Sequence, residues 1–382
     1  MTTLFCELLQ LAIGNKERLS QSPTEEEWND LFALAKRQAM VGIAFRGVEQ
    51  LPREQRPSKA LMLQWGMATE HIKAKNAAMD RKALAVANRF LSEGFPNMVL
   101  KGQGIAKLYR VEQIENSKLK IENCPPECDA THYTLHTTQE KNLSSYRTPG
   151  DIDIWLGGER RVILDYVRRH VPDCRPVYHH VDFPVIDGLD MEVHFTPSWM
   201  NSPVTNRRLQ RFFRSFDFQQ PSTSYPELPV PSLAFNRVYI LVHIYRHLFA
   251  EGVGLRQLLD YYFVLCQEFT PEEREETMRV LRSLHMQRFA RAVMWVLQHV
   301  YGMEDRYLLT EPDEREGRFL LSEIMQAGNF GQYDERMQHK QDERAWHWGM
   351  RKVMRNFRFV RSYPSEVLWS PLFKVWHYFW RK

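Results

Sequence analysis

The chain has 382 residues, of which 43% are hydrophobic and 26% charged, with a net charge of +4. That is long enough for two or three domains and ordinary for a globular protein, and the charge is too small to imply nucleic acid as the partner. No run of about 18 apolar residues is present, which argues against a transmembrane helix, and the start, Met1-Thr2-Thr3-Leu4-Phe5-Cys6-Glu7, lacks the basic and long apolar regions of a signal peptide. Five cysteines, an odd number, argue against a disulfide framework, so a cytoplasmic location is expected.

Residues 1–93 read as a helical region. Ser22-Pro23-Thr24-Glu25 offers an N-cap serine, a proline at the first helical position and a capping glutamate. From about Ala60 to Ser92 there is no proline and one glycine, Gly66, in a stretch rich in Ala, Met, Lys and Leu, which predicts a long helix. The character changes at Gly94. Phe95 to Leu100 reads as a short buried strand, Lys101-Gly102-Gln103-Gly104 as a turn, and Ile105 to Tyr109 as helical.

Residues 111–146 are polar and irregular and contain Pro125-Pro126; they read as an inserted loop or small excursion. Cys124, Cys128, His132 and His136 in this insertion are residue types that suit Zn²⁺, but their even spacing matches no familiar zinc module. Four such ligands on one continuous helix would span ~18 Å and could not share an ion, so a loop is the favoured reading.

Asp151-Ile152-Asp153-Ile154-Trp155-Leu156 opens with polar–apolar alternation, as a half-buried strand does, and ends at Gly157-Gly158. Residues i and i+2 of a strand share a face, so Asp151 and Asp153 project together while Ile152 and Ile154 point to the core. Two carboxylates that close need a compensating cation, for which a divalent metal with oxygen ligands is the usual solution. Glu159 to His170 reads as a helix. Val177–Val185 and Leu189–Phe195 read as strands joined at Asp187-Gly188, a hairpin signal. On the second of these Asp190, Glu192 and His194 share one face, and Glu192 beside the Asp pair would complete a cluster able to hold two metal ions. From about Pro231 onward the pattern is helical, broken near Pro312 and Pro364.

The order Leu100-Lys101-Gly102, Arg147-x-x-Gly150-Asp151-Ile152-Asp153-Ile154 and Glu192-Val193-His194-Phe195 resembles the uncharacterised bacterial nucleotidyltransferase family within the DNA polymerase β-like superfamily. The motifs cover roughly residues 95–200, with a looser match at His243-x-x-x-His247 and Leu255-Arg256-x-Leu258-Leu259-Asp260. The resemblance implies an α+β fold: a nucleotidyltransferase core at 94–220 with a small mixed sheet, flanked by helical regions at 1–93 and 221–382. It implies transfer of an NMP group from an NTP such as ATP to an unknown acceptor (a small molecule, a sugar, a protein or an RNA end). Asp151, Asp153 and Glu192 would bind two Mg²⁺ ions. Lys101, Gly102, Gln103 and Arg147 would contact the nucleotide, with backbone amides after Gly102 gripping phosphates. The superfamily usually shows Gly-Ser or Gly-Gly at the turn, whereas this chain has Gly102-Gln103, and its insertion is long.

Arg147 is equally a salt-bridge partner for the acidic residues. His243 and His247 are either one packed and one exposed histidine, or, with His194, contacts for the acceptor or the phosphates. Arg256 and Asp260, at i and i+4, are expected to pair with each other. The C-terminal run Trp369 to Lys382 is aromatic and basic; it reads as a helix docked on its own core or a partner, with a membrane-surface helix as the alternative. A catalytically silent nucleotide-binding or regulatory module and a partner- or membrane-docked interaction protein are the rival functions.

Overall fold

The computed structural model describes residues 1–118, 134–184, 190–216, 218, 227–337 and 345–380. It is an α+β fold: a small mixed sheet set into a largely helical protein.

Four helices come first: α1 (Thr2–Ala12), α2 (Glu25–Arg37), α3 (Val41–Gln50) and α4 (Lys59–Ser92). The cap of α2 lies two residues beyond the expected serine. Thr24 accepts the Glu27 N–H at 3.2 Å and Glu27 accepts the Thr24 N–H at 2.8 Å, a reciprocal capping box. The long Ala-rich helix predicted from composition is α4, and its C-terminal half lies against the sheet through Met79, Ala83, Val86, Ala87 and Phe90.

The sheet contains β1 (Asn97–Val99), β4 (Ile152–Leu156), β5 (His180–Asp182) and β6 (Met191–His194), ordered β1-β4-β6-β5. β4 and β6 are parallel; β1 and β5 are antiparallel to their neighbours. The one-turn helix α5 (Gln103–Ala106) follows β1, and α6 (Arg160–His170) follows β4. The expected strands at 95–100 and 177–185 are shorter than read, and the Asp187-Gly188 turn lies outside the described residues.

At its two ends the insertion is a structured excursion. Its ends form an antiparallel ribbon, β2 (Arg110–Lys118) with β3 (Thr134–Asn142), paired from Arg110↔Asn142 to Lys118↔Thr134. A ribbon whose two strands are both polar satisfies its backbone hydrogen bonds without an apolar stripe, so hydrophobic periodicity gave no signal. Cys124, Cys128 and His132 lie outside the described residues, as does the side chain of His136.

The remaining helices are α7 (Pro203–Arg214), α8 (Leu233–Ala250), α9 (Leu255–Leu265), α10 (Pro271–Ser283), α11 (Gln287–Tyr301), α12 (Glu314–Ala327), α13 (Ala345–Phe357) and α14 (Pro364–Trp380). Helices from both ends of the chain share one apolar core, in which Phe5, Trp28 and Trp65 join residues such as Tyr245, Tyr261 and Phe289. A second core, with Ile152, Ile154, Met191 and Val193, lies between the sheet and α4. Among the described residues no helix is long and apolar enough to cross a membrane. Helix α14 touches the body through Phe373 on Trp199 and Tyr178, and through the buried Glu366, which accepts from Arg246 and the Asn201 backbone; Trp376 and Phe379 stay exposed.

Candidate active site

The site lies on the sheet face opposite the α4 core. Alternation along β4 sends Ile152 and Ile154 into that core and Asp153 to the other side, where Asp153 is 1% exposed. In the parallel pairing Asp153 stands beside Glu192 and Trp155 beside His194. Asp153, Glu192 and His194 therefore converge, each with a ligand atom within 4.8 Å of the others. His194 Nε2 lies 2.8 Å from Asp153 Oδ1 and 3.3 Å from Glu192 Oε2.

Lys101 comes from the turn after β1. Leu100 N–H bonds to the Asp153 carbonyl at 2.9 Å, which carries the β1–β4 pairing up to the lysine. The ammonium is 2.9 Å from Asp153 Oδ2 and 3.4 Å from Asp151 Oδ1, so one cation compensates both carboxylates. Burial works against ionising Asp151, but the Lys101 charge, a backbone hydrogen bond and the Arg256 charge together offset it, leaving the carboxyl below its ordinary range. Burial likewise opposes ionising Glu192, but the His194 hydrogen bond and the nearby His194, His180 and Lys101 charges bring it to about 2.

The turn itself demands glycine twice. Gly102 has φ +60°, a conformation that side chains rarely adopt, and a Cβ on Gly104 would lie 2.3 Å from the Val99 carbonyl oxygen. Gln103 is buried and donates to Asp80 of α4 at 2.6 Å, so its side chain anchors the turn rather than facing the site. The N–H groups of Gly104, Ile105 and Ala106 bond to the Lys101 and Gly102 carbonyls. These three amides are used inside the turn, which corrects the expectation that the amides after Gly102 as a set are free for phosphate.

Arg147 is 3% exposed, and its guanidinium makes a bidentate pair with Asp260, Nε–Oδ1 and Nη2–Oδ2 both 2.7 Å. Tyr109 also donates to Asp260 at 2.6 Å. The anticipated Arg256–Asp260 pair is thus replaced: Asp260 turns to Arg147, while Arg256 donates to the Thr148 carbonyl at 3.0 Å. Bidentate geometry from a segment 113 residues away outcompetes the one-turn neighbour.

A narrow cleft joins these groups, lined by Lys101, Arg147, Asp151, His243, Arg256 and Phe330 among others. His243 is half-buried on α8 and contributes to that cleft; His247 meets it edge-on at 4.3 Å and lies 5.1 Å from the Phe330 ring. Neither is the plain exposed histidine of the alternative. Arg256 is the cation that reading the sequence for this site passed over, because only the fold brings it over Gly150, against which it packs closely. His179 and His180 were also passed over; an adjacent histidine pair at the start of a strand, with His194 opposite His180, was the available signal.

The sequence profile of the uncharacterised nucleotidyltransferase family matches residues 24–114 and 144–302, well over half of the chain. The chain belongs to this family. The stretch between the two matched segments takes in part of β2 and all of β3 of this nucleotidyltransferase. Neither curated proteins nor solved structures give a match.

Proposed function

We propose that this nucleotidyltransferase moves an NMP group from an NTP to an acceptor with Mg²⁺, in the manner of DNA polymerase β-like enzymes. The observation that carries the reading is the pairing of Asp153 and Glu192 in register on adjacent parallel strands, with Asp151 one step before β4 on the same side. These are hard oxygen donors of the kind Mg²⁺ takes. Asp153 Oδ2 is buried without a hydrogen bond and meets only the Lys101 ammonium, so the donor set fits a divalent ion. Asp151, Asp153 and Glu192 would hold it, and when bound it supplies neutralisation of charge at the reacting phosphate.

The chain's own groups do the rest. The acceptor oxygen attacks the α-phosphorus, the bond to the pyrophosphate oxygen breaks, and a site carboxylate takes the acceptor's proton. Lys101 and Arg256 flank Asp151 in the cleft and are the cations placed to hold phosphate oxygens. Arg147 would act one step back, by holding Asp260 beneath that wall. His243 would meet the acceptor or the triphosphate from α8. The α14 contacts with Trp199, Tyr178 and Arg246 support docking of the tail on its own core.

The test is pyrophosphate release from NTP and Mg²⁺ over a panel of acceptors. Asp153→Ala is expected to abolish it; turnover that survives the change removes the site from consideration. A second reading has one observation in its favour: Lys101 already neutralises Asp151 and Asp153, as a silent nucleotide-binding module would require. That reading predicts NTP binding with no release for any acceptor.

A further inference from the structure

Three imidazoles meet at the β5–β6 edge of the site. His179 precedes β5, His180 opens it, and His194 closes β6 directly opposite His180. Each offers a ring nitrogen, and the three nitrogens lie within 4.8 Å of one another. His179 Nε2 is 2.9 Å from His180 Nδ1, and Glu192 Oε2 is 3.1 Å from that same Nδ1 and 3.3 Å from His194 Nε2.

Two further nitrogens are unaccounted for. His194, 3% exposed, holds Asp153 Oδ1 through Nε2, and its Nδ1 is buried with no hydrogen-bond partner; His179 Nδ1 is in the same condition. The rings are held in place. His179 stacks on Trp199 at 3.9 Å, and Arg246, paired with Glu366, covers the other ring at 4.2 Å.

We propose that His179, His180 and His194 form a binding site for a divalent transition-metal ion of the zinc class, with Glu192 as the flanking carboxylate. Zinc binds imidazole nitrogen at ~2.0–2.1 Å, which sets tetrahedral donor atoms ~3.3 Å apart. The separations of 2.9 Å between His179 Nε2 and His180 Nδ1, and of 3.1 and 3.3 Å from Glu192 Oε2 to His180 Nδ1 and His194 Nε2, approach that arrangement. Imidazole donors select Zn²⁺, Co²⁺, Ni²⁺ or Cu²⁺ over Mg²⁺, which keeps this site chemically distinct from the oxygen set of Asp151, Asp153 and Glu192.

The test uses the full chain stripped with chelator and titrated with Zn²⁺ against a chromophoric competitor. One tight site per chain is expected. His180→Ala and His179→Gln should weaken it by at least ~100-fold, more than the ~10–100-fold of an outer-shell change. Asp151→Asn, which disables the proposed transfer site while leaving the histidines, should retain it, so the two assignments fail separately. Co²⁺ bound to the unaltered chain should show the intense visible bands of a tetrahedral complex. Wild-type affinity in both histidine variants, or Co²⁺ bound with only the weak bands of a six-coordinate complex, overturns the site.

Discussion

Breaking the buried Arg147–Asp260 pair separates a structural from a phosphate-binding role for Arg147. Asp260 takes two charge-assisted bonds from the guanidinium and a third from Tyr109, and both charged side chains are almost fully enclosed. Asp260→Asn keeps the shape but leaves Arg147 as an uncompensated buried charge, with Arg256 as a like-charged neighbour. Removing one partner of such a pair costs about 3–5 kcal/mol. At ~2.1 cal/mol/K per residue, an unfolding entropy near 0.8 kcal/mol/K turns that into a Tm decrease of about 4–6 °C for cooperative unfolding of the whole chain. Arg147→Met should lose a similar amount by orphaning the carboxylate. Arg147→Met combined with Asp260→Leu should recover most of it, short of the ~1 kcal/mol of the Tyr109 bond. Scanning calorimetry on the two single variants and the double variant measures this. If Arg147→Met melts like the wild type and only NTP affinity falls, the guanidinium serves phosphate and the structural argument is wrong.

Gly104→Ala should destabilise the chain by about 1–3 kcal/mol or more, because the new methyl would lie 2.3 Å from the Val99 carbonyl; an unchanged urea midpoint would show that the turn is looser than described. His180 stays neutral down to about pH 4 in the fold but protonates at its ordinary 6.5 when unfolded. The unfolded chain therefore binds more protons between those values, and stability should fall by up to about 3 kcal/mol as pH drops from 6.5 to 4. Glu192 acts lower down: its contribution is complete above 4.5 and is lost as pH falls through about 2. Urea titrations of metal-free wild type and His180→Gln at pH 7 and 4.5 isolate the first term, and equal slopes in the two proteins would refute it. Glu366→Gln should loosen α14, since Glu366 is 1% exposed and answers Arg246 and the Asn201 amide; faster limited proteolysis within residues 364–380 is the expected readout. Trp376→Ala, which removes a half-exposed ring 5.9 Å from Tyr178, should raise that rate less than Glu366→Gln.

Elements with strong local signals were legible in the sequence. Composition is enough for α4, because a run of good helix formers needs no partner to declare itself. The face assignment on β4 and β6 followed from period two alone: Ile152, Ile154, Met191 and Val193 do enter one core. The α2 cap was misplaced by two residues because Ser22 and Thr24 each have a glutamate three positions on, and only backbone geometry decides between them. The β2–β3 ribbon was missed because its strands carry no apolar face to report a period.

The site was legible where it lies on strands and obscure where it depends on distant contacts. Asp153 and Glu192 are 39 residues apart; alternation put each on the polar face of its own strand, and the family resemblance rather than periodicity set the two side by side. The roles of the cations were not readable in this way. Lys101 lies between Asp151 and Asp153 because β1 is antiparallel to β4, a pairing that a three-residue strand does not announce. Arg147 and Arg256 look interchangeable in the sequence. In the fold one is committed to Asp260, while the other packs on Gly150 at the cleft wall, because Arg147 arrives from the segment before β4 with both donor edges facing α9. Long cations have the largest choice of partners of any residues here, and tertiary contacts choose among them. A carboxylate fixed on a strand has almost no such choice, which is why the acidic half of this site could be read in advance and the basic half could not.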